Sequence, residues 1–238
     1  SHWSSPVQFE AAPGLGTPMQ SSLRITELMY NPASAYLVGG YTREDFEFVE
    51  LFNRGEEPID LGSVAFIHGI QYVFPEGTIL QPGQYLVVAG NPTAFALRYP
   101  DVHAMGPFNG NLANSGEPIS LEHVQYGVIE SFTYSDARGW PLASDGGGHS
   151  IVPIAETYAR SDRTCLDYGL HWRFSHDPLG SPGRADPEPV PGVRISEFAA
   201  DSNLGSGSND WIELINIGPT SVSLSGFFLS DERQDLDK

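Results

Sequence analysis

The residues able to do chemistry are glutamates, aspartates, histidines and tryptophans, and their spacing limits what each could do. Glu27 and Glu50 fall in two short apolar stretches, ITELMYNP and EFVELFNRG, each on a face shared with apolar residues. Two inward carboxylates could hold a cation or work as an acid–base pair. They could equally cap a strand end or accept backbone N–H groups. Asp201, Asn203, Asn209 and Asp210 surround a Gly/Ser-rich loop, DSNLGSGSND, and Asp231, Asp235 and Asp237 follow in SDERQDLD. Calcium takes about six to eight oxygen ligands. Asp201, Asn203, Asp210 and Asp231 are therefore the candidate Ca²⁺ ligands, although neither stretch has the spaced Asp loop with its closing Glu. Glu44, Asp45 and Glu47 form a further acidic cluster. No cofactor other than this possible Ca²⁺ is expected.

His149 follows three glycines and lies close to Asp145. Catalytic triads are built from residues that converge in space, and near neighbours in sequence rarely do so. No Gly-x-Ser-x-Gly elbow is present, so a tight turn before a strand explains the glycines. The remaining histidines lack the spacing of a zinc site. Three tryptophans could serve as platforms for sugar. Trp172 and Trp211 sit in repeated positions that suit core packing, whereas Trp140, in ARGWPLASDGGG, sits in a loop. Trp140 is the candidate for surface recognition, together with Tyr36 and Tyr41 in the loop insertion of residues 33–45.

Such residues need a scaffold. The chain of 238 residues has 26 glycines, 19 prolines and only 18% charged residues, a mix that suits many short strands joined by turns. Alternation or apolar runs mark strands at residues 23–30, 46–52, 61–67, 70–74, 85–89, 119–121, 128–134 and 150–154. YLVVA, at 85–89, reads as a buried central strand. One short helix is expected over residues 92–99, with Asn91 as N-cap and Pro92 first. In residues 23–30, simple alternation puts Leu23, Ile25, Glu27 and Met29 on one face and Arg24, Thr26, Leu28 and Tyr30 on the other.

The formal net charge is −18, from 12 basic and 30 acidic residues. Nucleic-acid binding needs Lys and Arg to displace counterions from phosphates, so no nucleic-acid partner is expected. No run of about 18 apolar residues exists to span a membrane. Cys165 is the single cysteine, so no intrachain disulfide can form; a lone cysteine is most often a small buried apolar residue.

The chain also repeats itself. LRITELMYNP is echoed by VRISEFAADS, EFVELFNRG by DWIELINIG, and IDLGSVAF by VSLSGFFL, in the same order. His171-Trp172 followed by Gly180-Ser181-Pro182 is echoed by His2-Trp3 followed by Gly16-Thr17-Pro18. The expected organisation is a closing segment of a preceding unit or a linker (1–22), one complete unit (23–185), a Pro-rich linker (186–192) and a partial second unit (193–238).

The ordered blocks ITELMYNP, EFVELFNRGEEPIDL, YVFPEGTILQPGQYLVVAGNPTAFALRYP, GNLANSGEPISL, GGGHSI and HWRFS…GSPG resemble the lamin tail domain in its bacterial, secreted form. The resemblance runs from residue 23 to about 183. It implies an all-β, immunoglobulin-like sandwich with one short loop helix. It also implies an extracellular or cell-surface setting in a multidomain bacterial protein. On that basis these residues are expected to form a non-catalytic structural or interaction module. Its partners would be neighbouring domains, other proteins or surface glycans. Two alternatives stand beside it. One is an accessory region of a larger enzyme, with a hydrolase or a spore-coat-H-type kinase-like domain downstream; the other is Ca²⁺-dependent adhesion or glycan binding.

Overall fold

A computed structural model describes residues 18–137, 139–154, 164–187, 193–199, 210–218, 220–222, 224 and 229. A turn of helix, α1 (Pro18–Ser22), leads into β1 (Leu23–Met29). Then follow β2 (Phe48–Asn53), β3 (Ile59–Asp60), β4 (Val64–His68), β5 (Tyr72–Val73), β6 (Ile79–Leu80) and β7 (Tyr85–Ala89). Helix α2 (Pro92–Arg98) separates these from β8 (Ala104–Met105), β9 (Pro118–His123), β10 (Gly127–Thr133), β11 (Ile151–Pro153) and β12 (Trp172–Phe174). A separate hairpin, β13 (Val193–Ala199) with β14 (Trp211–Asn216), follows.

Two sheets make the sandwich. The larger has the order β12-β11-β1-β2-β7-β8 and the smaller β10-β9-β4-β5, with β3 and β6 paired as a two-residue ribbon. All pairings are antiparallel except β7 with β8. The sheets share one core, in which Leu23, Ile25, Leu28, Val49 and Leu51 meet Val64, Phe66, Ile119, Leu121 and Phe132. Burying such side chains contributes about 1.5–3 kcal/mol each before chain entropy is subtracted. Trp172 closes one end against Phe132 (ring centroids 5.0 Å) and donates its Nε1–H to the Leu166 carbonyl at 2.8 Å.

Simple alternation does not survive in β1. A β-bulge between Ile25 and Glu27 places an extra residue opposite β2, which moves every later side chain to the other face. Leu28 and Tyr30 therefore join Leu23 and Ile25 in the sandwich core, and Met29 points out of it. Glu27 shares that outer face. So does Glu50, which lies directly opposite it in the ladder.

The outer face of the larger sheet is covered in two places. Helix α2 lies over one end, with Phe95 against Phe48 (5.6 Å, edge to face) among Met29, Val87, Ala89 and Ala104. Asn91 caps this helix as expected, accepting from Thr93 N at 3.1 Å and Ala94 N at 3.2 Å. The chain leaving β12 covers the second place. Strand β7, expected in the sheet's centre, is next to the edge strand β8, and only its C-terminal half is fully buried. Residues before β1 also touch the sandwich. Gln20 donates to the Val128 carbonyl at 2.8 Å, and Arg24 grips the carbonyls of Gln20 and Ser21, so the α1 turn is fastened to the sandwich. Among the described residues no helix is long and apolar enough to cross a membrane.

The bulge makes a testable claim. Leu28→Ala should remove a core side chain and lower unfolding stability by about 3 kcal/mol in a urea titration. A loss below about 0.5 kcal/mol, the usual range for a surface change, would contradict the register.

Candidate functional site

The sequence-predicted residues scatter. Trp140 is not a surface platform: it is only 9% exposed and lies beside Trp172, with ring centroids 6.0 Å apart and planes inclined by 29°. Its polar loop folds back over the end of the core, and the indole fills the gap beside Trp172. Tyr36 is exposed in a short 3₁₀ turn, and its carbonyl accepts from Arg98 at 2.6 Å. Tyr41 is half-buried, edge-on to Phe46 at 6.3 Å. These two remain on the surface, and Trp140 does not join them. Asp201, Asn203 and Asp231 lie outside the described residues, and Asp210 is exposed just before β14. Trp211, expected in a core, is 42% exposed because no described residue covers its face of the hairpin.

Asp45 is engaged in local structure. It accepts from Thr42 N (2.8 Å), Thr42 Oγ1 (3.0 Å) and Asn91 Nδ2 (2.9 Å), and the Asn91 bond holds its carboxyl below the usual range. His149 and Asp145 turn to different partners, the Ser175 carbonyl and Asn31 Nδ2 respectively. Cys165 is buried. Among the described residues, no three His, Cys, Asp or Glu side chains converge as metal ligands.

The cluster that does assemble is Glu27, Glu50 and Asp186. Burial of an unpaired carboxylate is costly, so each must find donors. Glu27 Oε1 accepts from the Ser150 hydroxyl and from Ser181 N at 2.9 Å. Glu50 accepts from Thr26 Oγ1 at 2.7 Å and from Gly183 N at 2.6 Å. Two opposed side chains on adjacent strands thus clasp one turn, Gly180-Ser181-Pro182-Gly183. Both glycines have positive φ, +87° and +84°. A Cβ on Gly180 would run into the Glu27 carboxylate, so glycine is needed there for conformation and for space. Tyr99 donates to the Leu179 carbonyl at 2.5 Å and steadies the approach.

Asp186 was assigned by sequence to the linker. Its side chain is instead buried in an ion pair with Arg173 of β12, and it accepts from Ser181 Oγ at 2.8 Å. Asp186 thus contacts both β12 and the turn at Ser181. Composition hid this residue in a proline-rich stretch; the signal that could have exposed it is the recurrence of Gly-Ser/Thr-Pro in the chain. Beside the clasp is a cavity of about 210 Å³, lined among others by Phe52, Tyr85, Arg54 and Arg184. Every oxygen of Glu27 and Glu50 already has a donor or hydroxyl within bonding distance. The arrangement is built to hold backbone.

Burial raises Glu27 from 4.5 to about 7 despite its hydrogen bonds, and it raises Glu50 well above its usual range, with the Glu27 charge adding to the effect. Oε1 of Glu27 takes both strong donors, Ser150 Oγ and Ser181 N. Ser181 Oγ lies between the acids, donating to Asp186 Oδ1 at 2.8 Å with Glu27 Oε2 at 3.4 Å. Glu47 behaves alike: it is buried, raised to about 8, and accepts from Leu112 N at 2.7 Å. A carboxyl whose folded value is raised contributes stability that is fully present below pH 4.5 and lost as pH rises through the folded value. The urea midpoint should therefore rise as pH falls from 8 to 5. Glu27→Gln, which imitates the protonated acid, should flatten this slope and leave the chain at least as stable at pH 8. A midpoint that falls steadily from pH 8 to 5 would contradict the assignment.

Comparison with known proteins agrees with the architecture. The sequence profile described as Lamin Tail Domain matches residues 17–136, just over half of the chain. Among solved structures, a DUF4876 family protein from Bacteroides thetaiotaomicron aligns at a TM-score of 0.42 with 10% identity. The alignment covers 71% of this chain and 72% of that one; a likeness this loose carries no argument. No curated protein matches the chain. On the profile match and the sandwich together, the chain belongs to the lamin tail domain family, an immunoglobulin-like and non-catalytic fold.

Proposed function

We propose that residues 18–187 serve as a structural and interaction module within an extracellular, multidomain bacterial protein, set in a series of similar units. The observation that carries this reading is the use made of the buried acids. Glu27 and Glu50 are the groups best placed for acid–base chemistry, and both are committed to the Gly180–Gly183 turn. Such a site positions chain and leaves no unspent acid–base pair. The net charge of −18 supports solubility and disfavours nucleic acid and anionic membranes. The same blocks recurring after residue 193 support a serial arrangement.

The test uses the native protein. Replacing residues 18–187 with an unrelated β-sandwich should abolish partner attachment at the cell surface, while any catalysis by other domains keeps the same turnover. The Glu27→Gln/Glu50→Gln double variant should also keep that turnover. Lost turnover in this variant, with an intact unfolding transition, would assign chemistry to the pair and overturn the reading.

A further inference from the structure

The β13–β14 hairpin reproduces β1–β2 residue for residue. Its bulge lies between Ile195 and Glu197, as that of β1 lies between Ile25 and Glu27. Glu197 faces Glu213 directly, as Glu27 faces Glu50. Ser196 Oγ donates to Glu213 Oε1 at 2.5 Å, in the manner of Thr26 to Glu50. Asn216 accepts from Gly218 N at 2.9 Å and donates to the Thr220 carbonyl at 2.7 Å. Asn53 makes the same two bonds, to Gly55 N at 2.9 Å and the Glu57 carbonyl at 2.8 Å. One difference separates the hairpins. Glu27 and Glu50 are buried under a glycine turn, whereas Glu197 and Glu213 are exposed.

The apolar residues of the second hairpin are exposed on both faces, with Phe198 at 71% on one and Trp211 at 42% on the other. Among the described residues no further strand pairs with this hairpin; a two-stranded hairpin is marginal in water, and apolar exposure on both faces marks a surface built to be covered. What covers the glutamate pair is indicated by its counterpart. Two carboxylates directly opposed in the ladder beside the same bulge receive two backbone N–H groups two residues apart (Ser181 and Gly183). They also exclude any side chain at the preceding glycine.

We propose that Glu197 and Glu213 form a second receptor for a polypeptide turn of Gly-Ser/Thr-Pro-Gly type, which they bind through its backbone N–H groups. The pair is a docking site for the closing segment of a unit and not a cation site. Specificity comes from the first glycine, whose missing Cβ makes room for a carboxylate. The inference rests on the geometry of the hairpin and is independent of the module's role.

The experiment extends the full chain beyond Lys238 with a flexible Gly/Ser linker and the sequence LGSPGRADP, copied from residues 179–187. A control extension, LASPARADP, places alanine at both glycine positions. Amide hydrogen exchange across β13 and β14 is the readout. The glycine extension should slow exchange at least tenfold relative to the alanine control, and Glu197→Ala/Glu213→Ala should abolish the difference. Exchange in β1 and β2 should be the same in every chain, which confirms that the sandwich is intact. Equal exchange with both extensions overturns the proposal. So does protection that is equal with both and rises with chain concentration, which would identify a second copy of the hairpin as the cover.

Discussion

Taking a carboxylate out of water costs several kcal/mol unless donors replace the lost hydration, and this sandwich offsets part of that cost four times with backbone N–H groups. Glu27 takes Ser181 N, Glu47 takes Leu112 N, Glu50 takes Gly183 N, and Glu130 takes Ile25 N at 2.6 Å. Each bond joins segments distant in sequence. Glu130 reaches from the smaller sheet to β1, Glu47 fixes the loop before β9, and the outer pair holds the exit turn. Short strands cannot satisfy all the backbone groups around them. Long acidic side chains take up the donors that the ladders leave over, and hydrogen bonds to such groups are stronger than those between neutral partners.

The bulge in β1 determines where one of these acids, Glu27, goes. Without the extra residue, Glu27 would enter the apolar core between the sheets and Leu28 would leave it. With it, β1 supplies both layers: Ile25 and Leu28 to the sandwich, Glu27 and Met29 to the outer face. That outer face is then divided by chemistry. Its apolar row, Met29, Phe48 and Ala89, lies under α2, and its acidic pair lies under the glycine turn. One inserted residue thereby fixes the sheet register, the seat of the helix and the path of the exit segment.

Much of this was legible in the sequence. Asn91-Pro92 declared the helix start through capping chemistry, which acts locally. The longer strands showed their period, and ordered blocks indicated the sandwich. The recurrence of Glu27 and Glu50 as Glu197 and Glu213 marked the acids as parts of a pattern. Other features could not be read because they are not local. LRITELMY alternates equally well with or without a bulge, and only packing chooses. The pairs at 59–60, 79–80 and 104–105 are too short to have a period. Trp140 sits among polar residues, yet its neighbour in space is Trp172. Asp186 follows Arg-Ala and precedes a run of prolines, so composition placed it in a spacer although Arg173 holds it in the fold.

The exit turn has a mechanical meaning. The chain departs from the middle of the outer face, after passing over the two central strands. Tension on residues beyond Asp186 therefore reaches the Arg173 ion pair and the glutamate clasp before it reaches the ladder of β1. Strand β12, at the sheet's edge and three residues long, lies just upstream of the clasp. The arrangement divides the load: the Arg173 ion pair passes part of it to the short edge strand, and the glutamate clasp passes the rest to the paired centre of the sheet.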